Sequence, residues 1–136
     1  CTAGMRCIFG RIEDGAPRLH PYGKILQDSW LKLPGSFSGL FLDEFIIMPK
    51  HMHGILFFER QADWTPSAQV PTLGNVIRCL KSRATRRINE LRSVQQRSYA
   101  SVWQRNYYEC IIRSERHLET VREYIAANPT RWRDSP

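Results

Sequence analysis

Two histidines flanking one methionine, in the stretch MPKHMHG from Met48 to Gly54, are the residues whose types and spacing best suit metal chemistry. On an extended strand the side chains at i and i+2 leave the same face, so His51 and His53 project together while Met52 turns toward the core. Two imidazoles one strand repeat apart can share a divalent ion. Alone the pattern is weak, because an isolated H-x-H is more often two ordinary strand-end histidines. A second pair bears on the choice. Tyr124 and Asn128 are four apart, which stacks a phenol and an amide on one helical face just before Pro129. An amide oxygen is a hard, neutral ligand suited to Mg²⁺ or Mn²⁺, so Asn128 is a candidate third ligand one turn from a phenol. His117 falls on the same stripe and reads as a polar flank.

The elements that must carry these residues are legible in outline. Leu40 to Met48 is rich in β-formers, Pro49-Lys50 interrupts it, and His53 to Phe58 resumes as an apolar run, which predicts a central hairpin. Ahead of it, Cys7 to Ile12 is a strand candidate, Asp14-Gly15 is a hairpin-turn signal, and Arg18 to His20 returns as a second strand. Gly23 to Leu33 places Ile25, Leu26, Trp30 and Leu33 at helical spacing, ended by Pro34-Gly35. Residues 59–74 hold two prolines among polar residues and read as a long surface loop.

Asn75 to about Arg92 is the clearest helix. Val76, Ile77, Leu80, Ala84, Ile88 and Leu91 form its apolar stripe, while Arg78, Lys81, Arg86 and Arg92 point elsewhere. Tyr107 to Arg113 reads as a strand with its two tyrosines on opposite faces. Ser114 can cap a last helix that carries Glu115 and Glu119 in its first turns, until Pro129 stops it. This order predicts an α+β sandwich, with helices packed on a central antiparallel sheet, in a single domain over residues 1–136. The chain opens at Cys-Thr-Ala-Gly without an initiator methionine, so its first strand is expected to be cut short.

Charge narrows the partner. Twenty Lys and Arg against thirteen Asp and Glu give a net charge of +7, and the basic residues crowd Asn75 to Ser98, where Glu90 is the single acid. With a pI near 9.6, this fits a polyanion, nucleic acid ahead of membrane. No apolar run approaches the ~18 residues a bilayer span needs, and no secretory signal pattern is present. The four cysteines are scattered without a C-x-x-C and read as reduced, cytosolic thiols.

Three blocks in order, FIIMPKHMHGILFF, LGNVIRCLKSRATRRINELR and VWQRNYYECIIRSERHLETVREYIAANPTRW, closely resemble the REP-associated tyrosine transposases. These are single-tyrosine HUH transposases, named for His-hydrophobic-His. The resemblance runs from about Cys1 to Trp132 and implies a ferredoxin-like sandwich with the histidine motif on a central strand. It makes His51, His53 and Asn128 the ligands of a divalent metal, Mg²⁺ or Mn²⁺, and Tyr124 the nucleophile. The implied activity is that of a DNA nuclease and ligase in one, cleaving single-stranded DNA through a 5′-phosphotyrosine intermediate and rejoining it. The implied substrate is an imperfect palindromic hairpin, and the implied setting is the bacterial cytoplasm at the nucleoid, as a homodimer or a monomer.

On that reading Arg78, Lys81, Arg86 and Arg87 contact the DNA backbone. Arg105, beside Trp103, is placed to help clamp an unpaired base, although packing accounts for Trp103 equally well. Tyr107 and Tyr108 are rival nucleophiles that lack an amide at i+4 on a helix. No neighbour of Tyr124 in the sequence presents itself as its general base. Two other readings stand beside this one: a non-catalytic nucleic-acid-binding module of the same fold, and a hydrolase in which the histidine pair activates water.

Overall fold

The computed structural model describes residues 1–59, 71–95 and 101–133. Asp14 and Gly15 both adopt positive φ, 51° and 72°, the geometry that lets a two-residue turn follow the right-handed twist of a hairpin. They join β1 (Gly10–Glu13) to β2 (Ala16–Leu19), which pair antiparallel from Gly10↔Leu19 to Glu13↔Ala16. Pro21 opens α1 (Pro21–Leu31), where its missing N–H costs nothing. A single 3₁₀ turn at Leu33–Gly35 ends that helix.

The second hairpin carries the histidines. β3 (Leu40–Ile47) and β4 (Met52–Phe58) pair antiparallel, with Ile46 opposite His53 and Ile47 opposite Met52. The Met48 N–H donates to the His51 carbonyl at 2.8 Å and closes the turn through Pro49 and Lys50. The register slips between Leu42 and Phe45, so Asp43 and Glu44 are left out of the ladder. His53 lies on β4, and His51 sits just ahead of it in the turn.

Helix α2 (Leu73–Val94) is capped by Thr72, whose hydroxyl accepts the Asn75 N–H, and buries Val76, Leu80, Ala84, Ile88 and Arg92 at four-residue intervals. Its stripe meets Leu26 and Trp30 of α1 and Leu40 and Ile47 of β3 in one apolar cluster. Arg87 of α2 reaches Asp28 of α1 at 2.5 Å across that seam. Helix α3 (Glu115–Ala127) begins at Ser114, which accepts the His117 N–H, and lies against β3. The architecture is the expected α+β sandwich; among the described residues it holds three α-helices, and its strands form two separate two-stranded antiparallel sheets in place of one central sheet. No helix among the described residues is long and apolar enough to cross a membrane.

Two further expectations are corrected. Tyr107 to Arg113 forms no strand: Tyr108 is 93% and Ile111 70% exposed, and among the described residues no segment offers the run a ladder. A strand needs a partner as well as β-prone residues, and aromatic composition alone does not supply one. Arg92 does not point outward but is 5% exposed, its guanidinium 5.4 Å from the ring of Tyr22, so a long polar side chain continues the apolar stripe. The predicted surface loop at 59–74 lies mostly outside the described residues.

Gly54 follows His53 because the Trp30 indole lies against the β4 backbone there. A Cβ at this position would come within 2.5 Å of the ring. Gly54→Ala is therefore expected to lower stability by about 1–3 kcal/mol through overpacking. Gly35→Ala, with open space around it, should leave the melting temperature unchanged or slightly raised. Thermal unfolding of both variants checks this, and equal melting temperatures would contradict the assigned contact.

Candidate active site and nucleic-acid surface

Short-range turn chemistry sets the histidine pair. With Met48 bonded to His51 and His53 in the ladder opposite Ile46, the two imidazoles lie with centroids 4.8 Å apart, nearly edge-on. The tyrosine comes from far along the chain. Ser114 starts α3, the apolar side chains Leu118, Val121 and Ile125 turn toward the protein, and Tyr124 sits on the flank of that stripe. Its ring reaches the His53 ring at 5.6 Å, edge to face, while 49% of the residue stays exposed. One turn on, the Asn128 side chain lies beside His51, near enough to act on its proton affinity. The Asn128 amide nitrogen turns back to the Tyr124 carbonyl at 3.5 Å.

The structure thus brings His51, His53, Tyr124 and Asn128 of a single chain into one place. His117 is half-buried on α3 and joins no cluster of three or more His, Cys, Asp or Glu among the described residues. A residue the sequence did not single out also belongs here. The Trp132 ring lies 6.0 Å from that of His51, with the Lys50 ammonium 5.2 Å above it. The Asn-Pro-Thr-Arg-Trp run after the helix was the available signal, since a tight 3₁₀ turn at Pro129–Arg131 folds it back.

Electrostatics favours neutral imidazoles. Burial, then the neighbouring His53, pushes the His51 pKa down to about 4, and the Asn128 side chain only partly offsets this. Burial lowers that of His53 as well. Both rings therefore keep lone pairs free at neutral pH, the form a metal requires. Two neutral imidazole nitrogens and an amide oxygen are a donor set that suits a divalent ion.

A second surface lies on α2. Arg78, Lys81, Arg86, Arg105 and Tyr107 line an open groove of about 580 Å³. Lys81 donates to the Gln104 carbonyl at 3.1 Å and sits over the rings of Trp103 and Tyr107 at 5.9 and 5.8 Å. Burial lowers its pKa. Arg87, grouped with these by sequence, is turned the other way onto Asp28. Trp103 is held by its ring N–H, which is shared between the Lys81 carbonyl and the Thr85 hydroxyl, and it packs on Phe9 at 5.3 Å, so packing is its role. The N-terminal residues join the two surfaces: Gln104 N–H donates to the Cys1 carbonyl at 2.9 Å, and Thr2 N–H to that of Lys50 at 2.8 Å.

Residues 37–128 match the family described as "Transposase IS200 like", a span that holds the hairpin, α2 and α3 through Asn128. The chain is also 32% identical to an uncharacterized protein of Haemophilus influenzae, over 97% of this chain and 78% of the relative. No solved structure matches it.

The depressed histidines give a pH signature. Between about pH 6.5 and about 4 the unfolded chain takes up protons that folded His51 does not, so stability should fall as the pH drops through this window. His51→Gln should flatten that dependence. Ring-proton NMR should place the His51 midpoint near 4, and a midpoint near 6.5 would contradict the burial assigned to it.

Proposed function

The chain belongs to the IS200-like transposase family, and from that premise we propose that it cuts and rejoins single-stranded DNA through Tyr124, with REP-like palindromic hairpins as substrate. The observation that carries this reading is the Tyr124 ring standing 5.6 Å from His53, with Asn128 one helical turn on, beside His51. The phenol oxygen attacks the scissile phosphorus, a P–O bond to Tyr124 forms, and the bond to the 3′ oxygen breaks. The phenolic proton is lost as the 3′ oxygen gains one. One phosphodiester replaces another, so the freed 3′-OH can reverse the step or a different 3′-OH can take its place, with no nucleotide cofactor. A water nucleophile would end in an irreversible cut.

His51, His53 and Asn128 would hold a divalent ion, Mg²⁺ or Mn²⁺. Bound there, it would act as a Lewis acid on a nonbridging phosphate oxygen and orient the phosphate. Because histidines and tyrosine belong to one chain, a single protomer would supply both the metal ligands and the nucleophile. The α2 groove serves as the DNA surface: Arg78, Lys81, Arg86 and Arg105 meet phosphates and hold the substrate in register, while Tyr107 offers a ring to an unpaired base. The substrate places the protein at the nucleoid of a bacterial cytoplasm.

Single-stranded hairpin DNA incubated with protein and Mn²⁺ should yield a covalent adduct on a denaturing gel. Tyr124→Phe should abolish adduct and cleavage together while leaving folding and metal affinity unchanged. Tyr107→Phe and Tyr108→Phe should retain the adduct. His51→Ala or His53→Ala should stop cleavage with DNA binding kept. Cleavage that survives Tyr124→Phe without an adduct would make metal-bound water the nucleophile, and binding without cleavage would make the protein a recognition module.

Affinity for the hairpin stem should be largely electrostatic. Arg86→Ala should lower the slope of log K against log salt by about one unit, through loss of one phosphate contact. Unchanged slopes for Arg78, Lys81, Arg86 and Arg105 variants would move the DNA surface away from α2.

A further inference from the structure

Helix α3 is thinly attached. Ile125 is its single buried residue, and the chain that delivers it is exposed from Gln104 to Ile111 without regular structure. On the wheel, the inward stripe Leu118, Val121 and Ile125 has Tyr124 and Asn128 on one flank and Arg122 on the other. Arg122 does not reach solvent freely. Its Nε donates to Asp43 Oδ1 at 2.8 Å and its Nη2 to Asp43 Oδ2 at 2.6 Å, a two-point bond across 79 positions of sequence. Its Nη1 is taken by Glu119, one turn back on the same helix.

Asp43 is itself fixed. It occupies the register slip of β3, and its Oδ1 also accepts the Glu44 N–H at 2.7 Å. The Arg122 guanidinium, then that N–H, hold its carboxyl down at about 2, so it stays ionised across the working pH range. A planar two-point bond resists rotation where a point charge does not.

We propose that the Arg122–Asp43 pair is a positioning device that fixes the roll of α3 about its axis and so holds Tyr124 against the histidine pair. It rests on the reading of Tyr124 as nucleophile. The lever arm makes the effect large: a roll of about 10° moves a tip about 6 Å from the axis through about 1 Å, and misplacement of about 1 Å costs on the order of 100-fold in rate.

The test uses the full chain with Mn²⁺ and a single-stranded hairpin oligonucleotide. It compares Arg122→Ala, Arg122→Lys, Asp43→Asn and Glu119→Gln with wild type. Four quantities are read: the single-turnover rate of adduct formation, oligonucleotide affinity, the through-space NMR contact between the His53 and Tyr124 rings, and amide exchange over α3. Arg122→Ala and Asp43→Asn should lose on the order of 100-fold in rate with affinity within about twofold. Both should also weaken the ring contact and speed exchange in α3 but not in α2. Arg122→Lys, charged but without the two-point bond, should fall between, and it decides the matter if Arg122→Ala releases the helix altogether. Glu119→Gln should match wild type.

An unchanged ring contact and unchanged α3 exchange in Arg122→Ala and Asp43→Asn would overturn the proposal, as would a wild-type adduct rate in both. If wild type itself forms no Tyr124-dependent adduct, the functional reading fails, and the ring contact and exchange still decide the role of the pair.

Discussion

A tyrosine on a helix can serve histidines on a hairpin only if the helix docks at one height and one rotation. That docking of α3 on β3 is the constraint on which the site depends. Residues His51 and His53 are set by a four-residue turn and one ladder, so their spacing is local and cheap to specify. The contact of Tyr124 with His53 has no such local origin. It is built from one buried isoleucine, a few half-buried apolar side chains and a two-point ion pair. The exposed segment before α3 adds little to hold it.

The rest of the molecule stiffens the other half of this arrangement. Trp30 of α1 packs on the bare backbone at Gly54 and on Phe45, bracing the hairpin from the core side immediately beside His53. The α2 stripe backs the same cluster, and Arg87 ties α2 to α1 at Asp28. Burial beside the hairpin then has a chemical consequence. It withholds protons from both imidazoles, leaving them able to donate lone pairs at neutral pH.

Features that rest on local chemistry were legible in the sequence. Asp14-Gly15 could be read as a hairpin turn because few residues tolerate two positive φ values in succession. Ser114 and Pro129 bracket α3 because a hydroxyl cap and a missing N–H act on their own neighbours. The pairing of an H-x-H with a tyrosine and an amide four apart was also visible as residue types. What could not be read depends on partners distant in sequence. Tyr107 to Arg113 has the composition of a strand and, among the described residues, no neighbour to pair with. Arg92 has the charge of a surface residue, yet Tyr22 offers it a ring. The bond between Arg122 and Asp43 needs both the strand irregularity and the approach of a helix from 79 positions away.

The central claim is that Tyr124 is the group that becomes joined to DNA, and tryptic mapping of the adduct tests it most directly. Cleavage after Arg122 and Arg131 isolates Tyr124 in a peptide with no other tyrosine, while Tyr107 and Tyr108 share the peptide from Asn106 to Arg113. Tandem mass spectrometry of adduct formed on a hairpin oligonucleotide should place the 5′-phosphonucleotide on Tyr124 alone. A modified Asn106–Arg113 peptide, or cleaved DNA with every tyrosine unmodified, would contradict the account.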